Sequence, residues 1–153
     1  MPDYAGAAKA IRDKFAAEWA VLNPTVPIQN QNTDPPSTEP VWPPVNKAWI
    51  YLEVLNTNSE IRGAGKPGNQ VWLYTGNIFI HIFVPLNYGI EDLENYAVQA
   101  GEIFRAKTFY NAFGTGVKLI CGAPQISGGT SDADQGSYFR VTCSIPFEYY
   151  HVG

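Results

Sequence analysis

The sequence predicts an α+β domain: a mostly antiparallel sheet of four or five strands with two helices packed on one face. Two segments repeat apolar residues at three- and four-residue spacing, which is typical of amphipathic helices. Several others alternate apolar residues with period 2, which is typical of strands. At 153 residues the chain has the length of one domain, so a single domain over 1–153 is expected.

The first helix is predicted over Tyr4 to Leu22, with Asp3 as its N-cap. Asn23 and Pro24 end it, because the residue before a proline is pushed out of the helical region. A proline-rich arm over 24–47 follows, which begins with a possible short strand at 25–29. The arm holds seven of the twelve prolines, namely Pro24, Pro27, Pro35, Pro36, Pro40, Pro43 and Pro44. Proline removes backbone donors, so the arm is expected to be a stiff, extended loop.

The sheet is organised around Val71 to Pro85, whose middle alternates between a small apolar side and a mixed side. The apolar side holds Gly76, Ile78, Ile80, Ile82 and Val84, and the mixed side holds Asn77, Phe79, His81 and Phe83. The stretch 48–55 has the same character, with Trp49, Tyr51, Glu53 and Leu55 on its mixed side. We therefore expect a hairpin with a long loop over 56–70.

The second half of the chain predicts another helix and another pair of strands. The helix runs from Ile90 to about Tyr110, with acidic residues in its first turns that complement the helix dipole. Strands are predicted over 117–121 and 137–147, joined by a polar, glycine-rich loop over 123–136.

The composition favours a protein that hides surface in an assembly. Hydrophobic residues make up 45% of the chain and charged residues only 16%, which is low for a soluble monomer. The net charge of −4 argues against sequence-specific binding of nucleic acid. The chain shows neither a signal-peptide pattern nor an apolar run long enough to span a bilayer, so synthesis in the cytoplasm and no membrane partner are expected.

No catalytic constellation is visible, so we predict neither an enzyme nor a cofactor. Cys121 and Cys143 fall on core-type positions of strands, and His81 lacks a partner cluster. No metal-ligand spacing is present. The GAGKPG run at 63–68 fails as a phosphate loop because Pro67 stands where a serine or threonine would bind the metal. The Asp132 to Gly136 stretch lacks the remaining ligands of a calcium loop.

The aromatic side of the sheet leaves two functions open. It could stack RNA bases, although the signature motif of RNA-recognition sheets is absent and the charge opposes this. It matches better the residue preferences of subunit interfaces, where aromatics are enriched and charges depleted. Trp42 on the arm is expected to dock, with its own domain favoured over a neighbouring subunit. The predicted interface residues are Trp42, Trp49, Tyr51, Phe79, His81 and Phe83.

With these elements in order, the chain resembles the tail terminator proteins of long-tailed bacteriophages and gene transfer agents. The resemblance covers about residues 11–149. It rests on the first amphipathic helix, the AWIYLEV strand, the GNIFI start of the main strand, the apolar helix after Tyr88-Gly89, and the late strand after a glycine- and aspartate-rich loop.

The resemblance implies a structural virion protein rather than an enzyme. Such proteins form six-subunit rings that cap the tail tube, end its polymerisation and join the tail to the head-side connector. Its partners would be copies of itself, the tail tube protein and the connector protein, and its location the head–tail junction of the virion. Tail tube and head–tail joining proteins are related alternatives. Contacts to tube or connector are expected from the two loops, through Glu60, Arg62, Lys66, Asp132 and Asp134.

Overall fold

The computed structural model describes residues 3–37, 39, 41–44, 47–63, 65–86, 89–112, 117–131 and 138–153. These residues form two helices, α1 (Tyr4–Leu22) and α2 (Glu91–Phe104), and one mixed sheet. The strands are β1 (Ile28–Asn30), β2 (Trp49–Ile61), β3 (Val71–Pro85), β4 (Thr108–Ala112), β5 (Val117–Cys121), β6 (Gln125–Ile126), β7 (Thr130–Ser131) and β8 (Tyr138–Val152). The predicted α+β class with two helices is confirmed.

The sheet is larger than the four or five strands that the sequence predicts. Its main path runs β1-β2-β3-β8-β5-β4, and the short β6 and β7 also pair with β8. Only the pairing of β1 with β2 is parallel among the described strands. Strand β8 holds the sheet together, because one edge pairs with β3 along its whole length while the other pairs with β5, β6 and β7.

Several boundaries differ from the predicted ones. Helix α2 ends at Phe104 rather than near Tyr110. The backbone turns at Ala106, whose φ is +51°, and then continues into β4. The predicted loop over 56–70 is shorter, because β2 continues to Ile61 and pairs there with Trp72 of β3. The hairpin therefore lengthens the sheet, because 71–75 of β3 also pair with 148–152 of β8 on the other side. We call its part over 56–61 and 71–75 the β2–β3 ribbon. The β2–β3 pairing is irregular between Asn56 and Asn58, where the register shifts.

The core lies between the two helices and the isoleucine-rich face of the sheet. Trp19 of α1 is 1% exposed, stacks on Phe15 with ring centroids 5.5 Å apart, and donates its indole N–H to the carbonyl of Val26 at 3.3 Å. Asp3 caps α1 as predicted, accepting a hydrogen bond from the Gly6 amide at 2.7 Å. The sheet contributes Ile50, Leu52, Val54, Ile78, Ile80, Ile82, Val141, Cys143 and Ile145. Since the helices cover this face, the mixed face of the sheet points away from them.

Candidate functional site

The mixed face of the sheet brings the predicted interface residues together in cross-strand rows. Between β2 and β3 the pairs are Trp49 with Phe83, Tyr51 with His81, and Glu53 with Phe79. On the other side of β3, its residues Phe83, His81 and Phe79 lie opposite residues of β8, which are Arg140, Thr142 and Ser144 in that order. Residues opposite one another in a sheet have touching side chains, so the rows form a continuous surface.

The arm of the same chain covers one end of this surface. The Trp42 ring packs edge-on to Trp49, with centroids 5.0 Å apart, and Trp49 stacks on Phe83 at 4.2 Å. The Tyr138 hydroxyl donates a hydrogen bond to the carbonyl of Pro44 at 2.7 Å. Trp49 is 5% exposed and Phe83 6% exposed as a result. The arm thus docks on its own domain, the alternative that the sequence favoured, and little of Trp49 and Phe83 remains for a second subunit.

His81 lies in the middle of the surface with both ring nitrogens hydrogen-bonded. Nε2 lies 2.8 Å from Oε1 of Glu53, and Nδ1 lies 2.8 Å from Oγ1 of Thr142. An ionised carboxylate can only accept, so the neutral imidazole carries its proton on Nε2 and accepts at Nδ1 from the Thr142 hydroxyl. The ring is thereby fixed across three strands. Both ring nitrogens thus have partners within the chain, one from each neighbouring strand.

The pKa of His81 is lowered from its ordinary value of 6.5, chiefly because burial disfavours the charged ring. The Glu53 carboxylate acts in the opposite direction, and the Arg140 guanidinium adds to the lowering. The folded protein therefore holds this imidazole neutral at pH 7.

The free energy of unfolding should fall as the pH is lowered below about 6.5, because the unfolded chain then takes up a proton that folded His81 resists. The lowered pKa contributes stability above the unfolded-state pKa, and this contribution is lost as the pH falls through the folded-state pKa. Denaturant unfolding of the wild type and of His81→Gln at a series of pH values measures this loss of stability. The advantage of the wild type over the variant should shrink on acidification.

His151→Gln is the matched control, since the chain has only two histidines. An advantage of the wild type over His81→Gln that grows as the pH falls would show that Glu53, rather than burial, dominates the titration of His81.

The rest of the surface is open, and we call Tyr51, Phe79 and His81 the open aromatic patch. The rings of Tyr51 and Phe79 both stack on the imidazole with centroids 6.1 Å away, and all three side chains are half-buried. A cavity of about 380 Å³ lies farther along the sheet, with Asn77, Pro146 and Glu148 in its lining and none of the three patch residues. The patch is rigid and mostly aromatic, which suits packing against another surface.

The predicted loop contacts lie apart from the patch. Glu60 and Arg62 form an ion pair at the end of the β2–β3 ribbon, with Nε and Oε1 3.1 Å apart. Lys66 is exposed in the turn that joins the two strands. Asp132 and Asp134 lie outside the described residues, so their role stays a prediction.

The structure also assembles an aromatic cluster that the sequence analysis missed. The Tyr74 ring of β3 stacks on the rings of Tyr4 and His151, with centroids 5.6 Å and 5.5 Å apart. The Tyr149 ring packs against those of Tyr74 and Tyr110, with centroids 6.0 Å and 5.9 Å apart. The sequence signal for this cluster is the period-2 alternation of β8, which continues past residue 147. Burial, as the largest cause, raises the pKa of the Tyr149 phenol. The cluster joins the N-terminal end of α1 to the sheet and extends the core.

The two cysteines are free and buried. Burial raises the pKa of the Cys121 thiol to about 12 and that of Cys143 to about 11. Both remain uncharged thiols at pH 7, and the thiolate is the reactive form. No group of three metal-ligating side chains occurs among the described residues.

Comparison with known proteins shows the fold but no family. No protein-family model matches the chain, and no curated protein matches it. Sixteen chains of solved structures are similar to it. One of them, a protein without a functional name, matches with a TM-score of 0.60 over 93% of this chain and 94% of that one, at 17% identity.

In the described part of the chain, no helix is both long and apolar enough to cross a membrane.

Proposed function

We propose that the protein is a structural component of a phage or gene-transfer-agent tail, which assembles into a ring that caps the tail tube, ends tail polymerisation and joins the tail to the head-side connector. The observation that carries the proposal is the open aromatic patch. It is a rigid, weakly charged surface whose one histidine is fully hydrogen-bonded within the chain. Such a surface favours protein assembly, and the resemblance to tail terminators supplies the kind of assembly.

Two parts of the molecule have different roles in this proposal. The open aromatic patch, with the outer side of Trp42 at its rim, contacts the neighbouring subunit of a six-membered ring. The β2–β3 ribbon reaches the tube or the connector through Glu60, Arg62 and Lys66, and the loop with Asp132 and Asp134 makes further contacts of this kind. A tail tube or head–tail joining role would use the same surfaces.

Binding of RNA is the weaker alternative for this face. Two of the aromatics that would serve as a platform, Trp49 and Phe83, are covered by the arm. Tyr51 and Phe79 each have His81 on one side of the ring. The net charge of −4 adds no attraction for phosphates.

Phe79→Glu should convert the ring into monomers while the domain stays folded. An aromatic anchor in an interface contributes about 2 kcal/mol or more, and the new carboxylate would be buried without a partner in each contact. Size-exclusion chromatography with light scattering, together with negative-stain imaging, measures the assembly. Circular dichroism and the resonances of the His81 ring measure the fold.

Ile126→Glu is the matched control, because Ile126 is an apolar strand residue that is 41% exposed away from the patch. It should leave the rings intact. Intact rings of Phe79→Glu would show that another face makes the contact. A wild-type protein that stays monomeric at high concentration, or RNA binding that weakens steeply with salt, would overturn the proposal itself.

A further inference from the structure

The aromatic cluster of Tyr4, Tyr74, Tyr110, Tyr149 and His151 contains two buried polar atoms without a hydrogen-bond partner among the described residues. They are the hydroxyl oxygen of Tyr149, which is 0% exposed, and Nδ1 of His151. The two residues alternate on β8, so they share a face of the sheet, and their rings stack with centroids 5.7 Å apart. Folded proteins pair nearly all buried polar atoms, because an unpaired one costs free energy. Two unpaired atoms on neighbouring rings therefore indicate a shared partner from outside the chain.

The Tyr149 hydroxyl has other oxygen atoms around it. Burial is the largest cause that raises the pKa of this phenol, and the Tyr110, Asp3 and Tyr74 side chains raise it further. Asp3 and Tyr110 place the site at the N-terminal end of α1, because Asp3 caps that helix and a Cβ added to Gly6 would lie 2.1 Å from the Tyr110 hydroxyl. In the described part of the chain, none of these groups hydrogen-bonds to the Tyr149 hydroxyl. Polar groups that are close but not directly bonded are typical of a position where water bridges them.

The hydrogen-bonding groups at this site suit a small neutral molecule. A phenol donates one hydrogen bond, and the His151 ring accepts at Nδ1 when its proton is on Nε2. A molecule between the two side chains must therefore accept from one and donate to the other, as water does. The Asp3 carboxylate, which acts on the Tyr149 hydroxyl, would repel an anion. Its Oδ1 already accepts a hydrogen bond from the Gly6 amide at 2.7 Å, which makes it a poor ligand for a cation.

We infer that the Tyr149 hydroxyl and Nδ1 of His151 bind a buried water molecule that bridges them. The water accepts the hydrogen bond of the hydroxyl and donates one to the imidazole, so each buried atom gains a partner. The same bond fixes the His151 ring in the tautomer that carries its proton on Nε2. The bridge belongs to the folded domain and is independent of the proposed ring.

A crystal structure of the wild-type protein tests the inference directly. A water peak should lie within hydrogen-bonding distance of both atoms, about 2.7–3.2 Å from each. Nitrogen NMR at about pH 8, where an ordinary histidine is neutral, should show the His151 ring as one tautomer with its proton on Nε2. A site without a water peak, a direct bond between the two side chains, or a ring with its proton on Nδ1 would overturn the inference.

Tyr149→Phe supplies a second test, because it removes the hydroxyl and keeps the ring. The His151 ring should become a mixture of both tautomers, and the midpoint of thermal unfolding should fall by about 2–4 °C. An unpaired hydroxyl predicts the opposite, since its removal deletes an unsatisfied group. A midpoint that does not fall, or an unchanged tautomer, would each overturn the bridge. If this variant does not fold, the water peak and the tautomer of the wild type decide.

Tyr150→Phe is the matched control, because it makes the same exchange at the next residue of β8. The Tyr150 side chain lies on the other face of the strand, and its hydroxyl donates to Oε2 of Glu148 at 3.0 Å. This variant should keep the water peak and the His151 tautomer of the wild type. A tautomer that changes equally in both variants would show a general loosening of β8 and overturn the bridge.

Discussion

Trp49→Ala should lower the free energy of unfolding by about 3–5 kcal/mol, the cost of truncating a large buried aromatic residue. Trp49 is 5% exposed and contacts the Trp42, Phe83 and Tyr138 rings at 5.0, 4.2 and 6.0 Å. Its loss leaves a cavity between the sheet and the arm. The arm should then become sensitive to protease, and denaturant unfolding together with limited proteolysis measures both effects.

Trp49→Phe is the matched comparison, and it should cost much less than the alanine variant. The phenyl ring keeps the stacking on Phe83. The Trp49 indole N–H is buried and has no acceptor among the described residues, so its removal deletes an unsatisfied donor rather than a hydrogen bond. Equal losses for the two variants would show that the indole is hydrogen-bonded in solution. A stable Trp49→Ala protein with a protected arm would show that the arm docks elsewhere.

Gly76→Ala should destabilise the domain by about 1–3 kcal/mol or more, because it overpacks the middle of the sheet. A Cβ at this position would lie 2.0 Å from the backbone carbonyl oxygen of Leu55 and 2.8 Å from the Phe147 ring. Gly76 pairs with Asn56 at the end of the regular ladder, beside the register shift in β2, where the two backbones approach closely. Thermal and denaturant unfolding measure the loss.

Gly128→Ala is the control for this substitution. A Cβ on Gly128 meets no atom within 4 Å, so the exchange should leave stability nearly unchanged. If Gly76→Ala were as stable as wild type, β2 would have to move away from β3 at this point, and the β2–β3 ribbon would be more adaptable than its pairing indicates.

The sequence predicts well those features that depend on neighbours along the chain. Helix α1 has the predicted bounds and the predicted Asp3 cap, because a 3.6-residue repeat and a capping side chain are local properties. The alternation in β3 correctly separates the isoleucine side, which is buried, from the side with Phe79 and His81. The same alternation places His81 on this side, but its partners Glu53 and Thr142 come from neighbouring strands, and the sequence analysis missed them.

Prediction fails where partners come from distant parts of the chain. The extension of β2 to Ile61 was missed because its residues Asn56 to Glu60 are polar, and they become a strand only by pairing with β3. Helix α2 was predicted too long because 105–110 could continue the helical pattern, and the pairing of β4 with β5 selects a strand instead. The short β6 and β7 exist only as partners of β8.

By itself, the sequence determines that this protein has two amphipathic helices, a two-sided sheet and an aromatic face with few charges. Only the tertiary structure decides how that face is divided. The arm covers Trp49 and Phe83 through contacts such as the bond from Tyr138 to Pro44, whose residues lie 94 positions apart. Tyr51, Phe79 and His81 stay open. Periodicity reports which residues share a face, but coverage of that face depends on long-range packing, which no local pattern encodes.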